Sequence, residues 1–369
     1  MRSFTCACGQ PVFFENTVCL ACGAPTGFDP AARTMISLEP AGEGIFTRKE
    51  SQAPANTAAS DTPPAAPPQW KYCGNLNACG CNWLLPAASK DTLCDACRTT
   101  RTIPALTSPR SQLRWSRAEA AKRRLLFTLL DLSLWGPSSP LTPKHPLVFD
   151  MLEPALGKPV TTGHQSGLIT VNLAEADDDA REQTRVSLHE PYRTLSGHFR
   201  HEVGHYFWDV LIPDTPDLAA CRQHFGDETA DYALSLKRHY EQGPPDNWAE
   251  QHVSAYASMH PWEDWAETWA HFLHMRDTLE TANNAALSSR TPGAKHDAAD
   301  FIGIEGATQA NALDFTVRVE RWTSVAILCN ELCRSMGQLD VYPFALTAPV
   351  LKKLFFIERI VSKVSNGAS

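Results

Sequence analysis

Residues 192–208 read YRTLSGHFRHEVGHYFW, and this stretch decides what the second half of the chain is. Leu195, Phe199 and Val203 recur at helical spacing, so the segment from 192 to about 211 reads as a helix with a buried stripe, ended by Pro213 and Pro216. On such a helix His201 and His205 stand four residues apart on one face and can reach one metal ion together. Glu202, next to the first histidine, is placed to polarise a metal-bound water rather than to bind the metal. The apolar flanks Val203, Tyr206, Phe207 and Trp208 bury the helix, which argues against a chance pattern on a solvated surface.

A catalytic zinc needs a third protein ligand and an open fourth position. A third histidine supplied by an H-x-x-G-x-x-H continuation is excluded, because His205 is followed by YFWDVL. The other arrangement takes a glutamate from a later helix, and HPWEDWAETWAH (260–271) offers one. Pro261 suits a first helical turn, and the helix it opens continues to about 279. Glu263 and Glu267 share one face of it. Glu263 reads as the ligand and Glu267 as a carboxylate accepting a hydrogen bond from a ligand imidazole. Three tryptophans interleaved with these carboxylates make a solvated face an unlikely home for them. His260, His271 and His274 are rivals for the ligand position. Tyr256, seven residues before Glu263, is a candidate donor to an oxyanion, although a tyrosine in a helical domain is ordinarily core.

Working outward, the chain divides into four parts. Residues 1–26 carry Cys6-Ala7-Cys8 and Cys19-Leu20-Ala21-Cys22, two close pairs that can place four thiolates around one zinc. Residues 27–69 lose periodicity and end in SQAPANTAASDTPPAAPPQ, a Pro/Ala-rich run with almost no large apolar side chain, which reads as linker. Residues 70–103 offer five thiols, of which Cys94 and Cys97 form a C-x-x-C knuckle. Cys73 with Cys81 completes a second four-thiolate site and leaves Cys79 spare; Cys79 with Cys81 would instead copy the C-x-C of the first cluster. Closed four-thiolate sites have no position for substrate, so both zincs are expected to be structural and to fold segments too small to own a core. Cys221, Cys329 and Cys333 read as core thiols.

From 104 to 369 the composition is that of a globular, mainly helical domain. Ser116-Arg117-Ala118-Glu119 reads as a capping box opening a helix whose buried stripe is Leu125, Leu126, Leu129 and Leu130. A further helix is expected from about 218 to 240. The run Leu168 to Leu173 is the expected strand, at the edge of a small sheet beside the catalytic cleft.

The chain has 369 residues, 43% of them hydrophobic, and a formal net charge of −8. That balance disfavours a general nucleic-acid binder, which needs a basic face. Arg98, Arg101, Arg110, Arg114, Lys122, Arg123 and Arg124 form a local basic stretch, read as a solvated helix face and loop. No signal peptide is evident, and no apolar run approaches the roughly 18 residues needed to span a bilayer. A soluble, cytoplasmic protein is expected, in which paired cysteines are metal ligands more often than disulfides.

The stretches FFENTVCLACG, CNWLLPA, LCDACRTTRTIP, EAAKRRLLFTLL, GLITVNLAEAD, EPYRTLSGHFRHEVGHYFWD and SAYASMHPWEDWAETWAHFLHM together resemble a bacterial family of zinc-ribbon metallopeptidases, over nearly all of the chain outside the linker. The resemblance implies an α+β fold: a mainly helical zincin-like domain with a small edge sheet, preceded by two small zinc ribbons. It implies a gluzincin-type peptidase with His201, His205 and Glu263 on zinc and Glu202 as base. The spacing from Tyr256 to Glu263-Asp-Trp-Ala-Glu267 is similar to that of the anthrax lethal-factor type, which implies the oxyanion role for Tyr256. The extra cysteine at 79 departs from the usual ribbon. Expected, then, are one catalytic and two structural zinc ions and a peptide or protein substrate. The competing expectation is a non-catalytic ribbon module that binds a protein or RNA partner on a degenerate zincin scaffold; such a scaffold would have no need of Glu202.

Overall fold

The computed structural model describes residues 2–50, 67–155, 158–187, 190 and 192–367, so the Pro/Ala-rich run at 51–66 lies outside the described residues. Strands β1 (Phe4–Thr5) and β2 (Pro11–Val12) pair as a hairpin that presents Cys6-Ala7-Cys8. They are followed by β3 (Thr26–Asp29), β4 (Thr34–Gly42) and β5 (Ile45–Arg48). These three strands correct the reading of 27–69 as linker, since residues up to Arg48 are sheet. β3 is buried throughout, β4 is buried from Met35 to Leu38 and then exposed at four positions, and β5 has no buried residue, so neither an alternating nor a helical pattern marks them.

β6 (Gln69–Tyr72) and β7 (Leu84–Pro86) complete an antiparallel sheet of order β3-β4-β5-β6-β7. A bridge between Phe28 and Trp83 brings its two edges together. The sheet thus joins residues 26–48, which follow the first cysteine segment, to the strands of the second, while Cys6 and Cys8 stand on the separate β1-β2 hairpin. Short helices α1 (Leu76–Cys79) and α2 (Asp95–Arg98) carry the second cluster's turns.

β8 (Thr100–Thr102) leaves this region and joins the second sheet, of order β10-β11-β9-β8. Between them α3 (Pro109–Asp131) begins at Ser108, whose hydroxyl accepts the Ser111 N–H at 3.1 Å. The capping box expected at Ser116 is thus two turns inside the helix, and the Ser116 hydroxyl instead donates to the Gln112 carbonyl at 2.8 Å. The stripe of Leu125, Leu126, Leu129 and Leu130 is buried. Lys122 and Arg123 are buried too, which corrects the reading of the basic stretch as a solvated face. Its other members are held by carboxylates: Arg101 by Asp150 (2.5 Å), Arg110 and Arg114 by Asp177 (2.5 and 2.6 Å), Arg98 by Asp91 (2.5 Å) and Arg124 by Glu15.

In the second sheet β9 (Val148–Leu152) runs parallel to both β8 and β11 (Leu168–Asn172), and β10 (Gly163–Gln165) closes the edge as a hairpin with β11. The strand expected at the edge is therefore internal; the tight reversal at Ser166-Gly167 adds a short outer strand that the sequence pattern did not announce.

The remaining helices are α4 (Asp178–Ser187), α5 (Leu195–Leu211), α6 (Asp217–Phe225), α7 (Tyr232–Gln242), α8 (Trp248–Gln251), α9 (Pro261–Asn284), α10 (Gln309–Ser335) and α11 (Ala348–Ser365). The single helix expected at 218–240 is two, because Gly226 (φ +96°) ends α6 and turns the chain. α5 and α9 are the central pair, with Phe207 stacked on Trp269 and Trp265 on Trp269. One cluster of buried residues runs from Phe14, Phe28 and Trp83 through Phe127 and Leu129 to Trp265 and Phe356, so the sheet region and the helices share a core. Among the described residues no helix is long and apolar enough to cross a membrane.

Candidate active site and metal centres

α5 and α9 approach so closely at Gly204 that a Cβ there would lie 3.0 Å from Ala266 Cα and 3.1 Å from Trp269 Cβ. The Trp265 indole N–H donates to the Gly204 carbonyl at 2.9 Å and fixes the crossing. This contact brings one face of each helix together. His201 Nε2 lies 3.2 Å from His205 Nε2 and 3.0 Å from Glu263 Oε2, and His205 Nε2 lies 3.4 Å from the same oxygen. Ligand bonds of about 2.0–2.1 Å at tetrahedral angles put neighbouring donor atoms about 3.3 Å apart, so the triangle has the size of a zinc site.

The protonation pattern agrees. His201 Nδ1 donates to Glu267 Oε1 at 2.7 Å, which leaves the Nε2 lone pair facing the other two atoms. Buried Glu263 Oε2 meets no hydrogen-bond donor among the described residues. Three potential electron-pair donors that converge in a buried place fit a cation, which would take the position that a proton on His201 Nε2 otherwise fills.

Electrostatics point the same way. Burial disfavours charge on His201, but Glu263 and Glu267 outweigh burial and raise its pKa well above the ordinary imidazole value. Burial alone would raise the Glu263 carboxyl; the charge of His205 and the contact with His201 hold it well below the usual range. Glu267 follows the same balance, with His201 the main opposing partner and Ser254 a further one, and is pushed down to about 2. The Ser254 hydroxyl donates to Glu267 Oε2 at 2.6 Å, so the chain Ser254–Glu267–His201 sets the imidazole's orientation.

Glu202 faces a cleft of about 480 Å³ whose wall also includes His201, Tyr256, Glu267, His239 and Tyr240. Tyr256 sits in a short 3₁₀ turn, its ring 6.1 Å from that of His201. Burial, then the charge of Glu263, pushes its hydroxyl pKa up, so it remains a donor. The rivals for the ligand position are elsewhere. His260 caps α9, accepting the Trp262 N–H at 3.1 Å, and His271 Nδ1 meets the Tyr342 hydroxyl at 2.8 Å. His274 is packed among Tyr192, Trp322 and Tyr342, and burial depresses its pKa to about 3.

Three contributors were not legible in the sequence. The Tyr232 hydroxyl donates to Glu263 Oε1 at 2.9 Å, Ser254 orients Glu267, and His164 on β10 lies parallel to the His205 ring at 6.5 Å. None belongs to a periodic pattern with the ligands, and each comes from a separate segment. The only local hint was Tyr232 opening a helix after Asp231, which caps it.

The cysteine sets are equally compact. Cys6, Cys8, Cys19 and Cys22 bring their sulfurs together, with Cys6–Cys22 at 3.6 Å and Cys8–Cys19 at 3.8 Å. Zinc–sulfur bonds of about 2.3 Å place tetrahedral sulfurs about 3.8 Å apart. In the second set the structure gathers Cys73, Cys81, Cys94 and Cys97. Cys79 lies to one side, near Cys97 and Glu119, and receives the Arg123 guanidinium at 3.6 Å.

With this geometry in place, the sequence comparisons are specific. Residues 111–360 match the family described as "Putative zinc-binding metallo-peptidase", and residues 3–108 match a zinc-ribbon domain family. The chain belongs to this zinc-binding metallopeptidase family. It is similar to an uncharacterized protein of Mycobacterium bovis, 40% identical over 367 residues, covering 99% of this chain and 96% of the relative. Uncharacterized proteins from two strains of Mycobacterium tuberculosis match with the same identity and coverage. No solved structure matches the chain. The ribbon family spans both cysteine sets and the strands between them.

Proposed function

We propose that the chain is a zinc-dependent peptidase or amidase that hydrolyses a peptide bond in a peptide or protein substrate. The observation that carries this reading is the meeting of His201 Nε2, His205 Nε2 and Glu263 Oε2 at 3.0–3.4 Å, with His201 and Glu202 both on the wall of one cleft.

His201, His205 and Glu263 hold the ion. Bound zinc supplies Lewis acidity for the substrate carbonyl and brings a water's pKa toward neutrality. Glu202 accepts the proton of the attacking water and passes it to the leaving amine. The Tyr256 hydroxyl, kept protonated by its surroundings, donates to the oxyanion that develops on the substrate. Glu267 and Ser254 keep His201 in the tautomer that presents Nε2. The two cysteine sets hold one zinc each, so the chain carries three. Their role is to fold the sheet region, and its surface recruits the substrate.

A non-catalytic RNA-binding module is less well supported. Arg98, Arg101, Arg110, Arg114 and Arg124 already meet carboxylates, so they do not offer the free basic face that phosphate binding needs. A comparison of new protein N-termini between cells carrying the parent chain and Glu202→Gln tests the reading. Cleavages that vanish with Glu202→Gln are expected; identical N-termini together with full biological activity of the variant would overturn the enzyme reading.

A further inference from the structure

α7 has no buried residue of its own, yet it contributes His239 and Tyr240 to the mouth of the cleft. It is joined to the rest of the protein through Gly226 (φ +96°) before it and Gly243 (φ +77°) after it. With no apolar face to seat it, a helix of this kind is at the low-stability end of a fold. Its docking is concentrated at its first residue. The Tyr232 hydroxyl donates to Glu263 Oε1 at 2.9 Å. Its ring packs against His260 at 5.2 Å and Trp262 at 6.2 Å. Farther along, the His239 ring contacts that of Tyr256 at 5.9 Å.

The two oxygens of Glu263 thus have different tasks. Oε2 faces the histidines and Oε1 is taken by Tyr232. We infer that Tyr232 is a positioning residue that restricts Glu263 to one metal-facing oxygen, so that the centre is complete only when α7 is seated over the cleft. The inference rests on the metal-site part of the proposed function and extends it to how the cleft is covered. A carboxylate whose second oxygen is engaged offers the metal one bond and leaves a coordination position for substrate. Hydrogen-bond partners of metal ligands change metal affinity by about 10–100-fold when removed. Because the partner here stands on a loosely held helix, metal binding and seating of α7 strengthen each other.

Tyr232→Phe removes the hydroxyl and keeps the ring against His260 and Trp262. Zinc retention against a chelator is measured on the full chain, with His201→Ala identifying the equivalent that belongs to α5 and α9. In Tyr232→Phe that equivalent is expected to be held about 10–100-fold more weakly, while the cysteine-bound equivalents, and the melting point of protein stripped of this one equivalent only, stay as in the parent. Hydrogen exchange supplies the second reading: zinc should slow exchange along α7 in the parent and much less in the variant. Unchanged zinc retention overturns the inference. So does α7 exchange that ignores zinc, or a fall in that melting point with no change in affinity. Glu202→Gln, run in parallel, should keep both the zinc and the protection of α7. If parent and Glu202→Gln then cleave nothing differently, the peptidase reading fails while the result on Tyr232 stands.

Discussion

The sheet region gathers eight cysteines into two sets, whereas the helical region brings two histidines and a glutamate together beside an open cleft that His201 lines. In the second cysteine set every residue is at most 2% exposed; in the helical set Glu263 and His205 are likewise buried and only the His201 side chain, at 12%, reaches the cleft. The sulfur sets take all of their ligands from turns and short hairpins, which have little apolar surface of their own. The nitrogen–oxygen set stands on two long helices packed through Trp265, Trp269 and Phe207. This difference predicts that the sheet region depends on metal for its fold and that the helical region does not.

The strongest way to break that contrast is to remove one sulfur. In Cys94→Ser the second set loses its zinc, and with it a share of the roughly 10–16 kcal/mol that structural zinc contributes to folding such segments. Because Trp83 and Phe28 share a core with Phe127 of α3, the damage should reach the helices, seen as a global fall in melting temperature and rapid proteolysis within 67–105. His201→Ala should lose one zinc and keep its fold. If both variants behave alike, the contrast is wrong.

Chemistry is the next largest effect. Glu202→Gln should retain three zinc ions by metal analysis and lose about 10²–10⁴-fold in cleavage rate, the range for removal of a general base. Loss of zinc in this variant would make Glu202 a ligand and redraw the site.

The position of the helices can be tested without touching a ligand. Gly204→Ala places a methyl against Ala266 and Trp269, where an overpacked contact costs about 1–3 kcal/mol. Forcing α5 from α9 also separates His205 from Glu263, so weaker zinc binding at this centre should accompany the lower stability, with the cysteine-bound zinc unchanged. Equal weakening at all three sites would mean that the regions are not independent in the way their ligands suggest.

What could be read from the sequence follows the same division. His201, His205, Glu263 and Glu267 were legible because a helix turns spacing into direction, and both helices carry their pairs at four residues. Tyr232, Ser254 and His164 were not, since each reaches the site from another segment and no local period links them. β4 and β5 were missed because their pairing is with distant strands and burial covers only part of β4 and none of β5. The start of α3 was missed for a chemical reason: Ser108-Pro109 and Ser116 offer competing caps, and only the first hydroxyl meets a free N–H, that of Ser111. Gly226 hid inside an otherwise helical stretch, where its positive φ could not be read from composition.

The smallest expected effect settles the choice that the sequence left open between two cysteines. Cys73 lies with Cys81, Cys94 and Cys97, and its sulfur accepts the Cys94 N–H at 3.4 Å, as a knuckle ligand should. Cys79 instead faces Arg123, whose guanidinium also reaches the Cys79 carbonyl at 3.2 Å. Serine at 79 can still accept from Arg123, so Cys79→Ser should keep all zinc and change stability by only about 1 kcal/mol, the usual scale of one exchanged hydrogen bond. Cys73→Ser should lose a zinc and follow Cys94→Ser in its instability. The reverse result would move the fourth ligand to Cys79, and the neighbouring pair Cys79 and Cys81 would then copy the C-x-C of the first set.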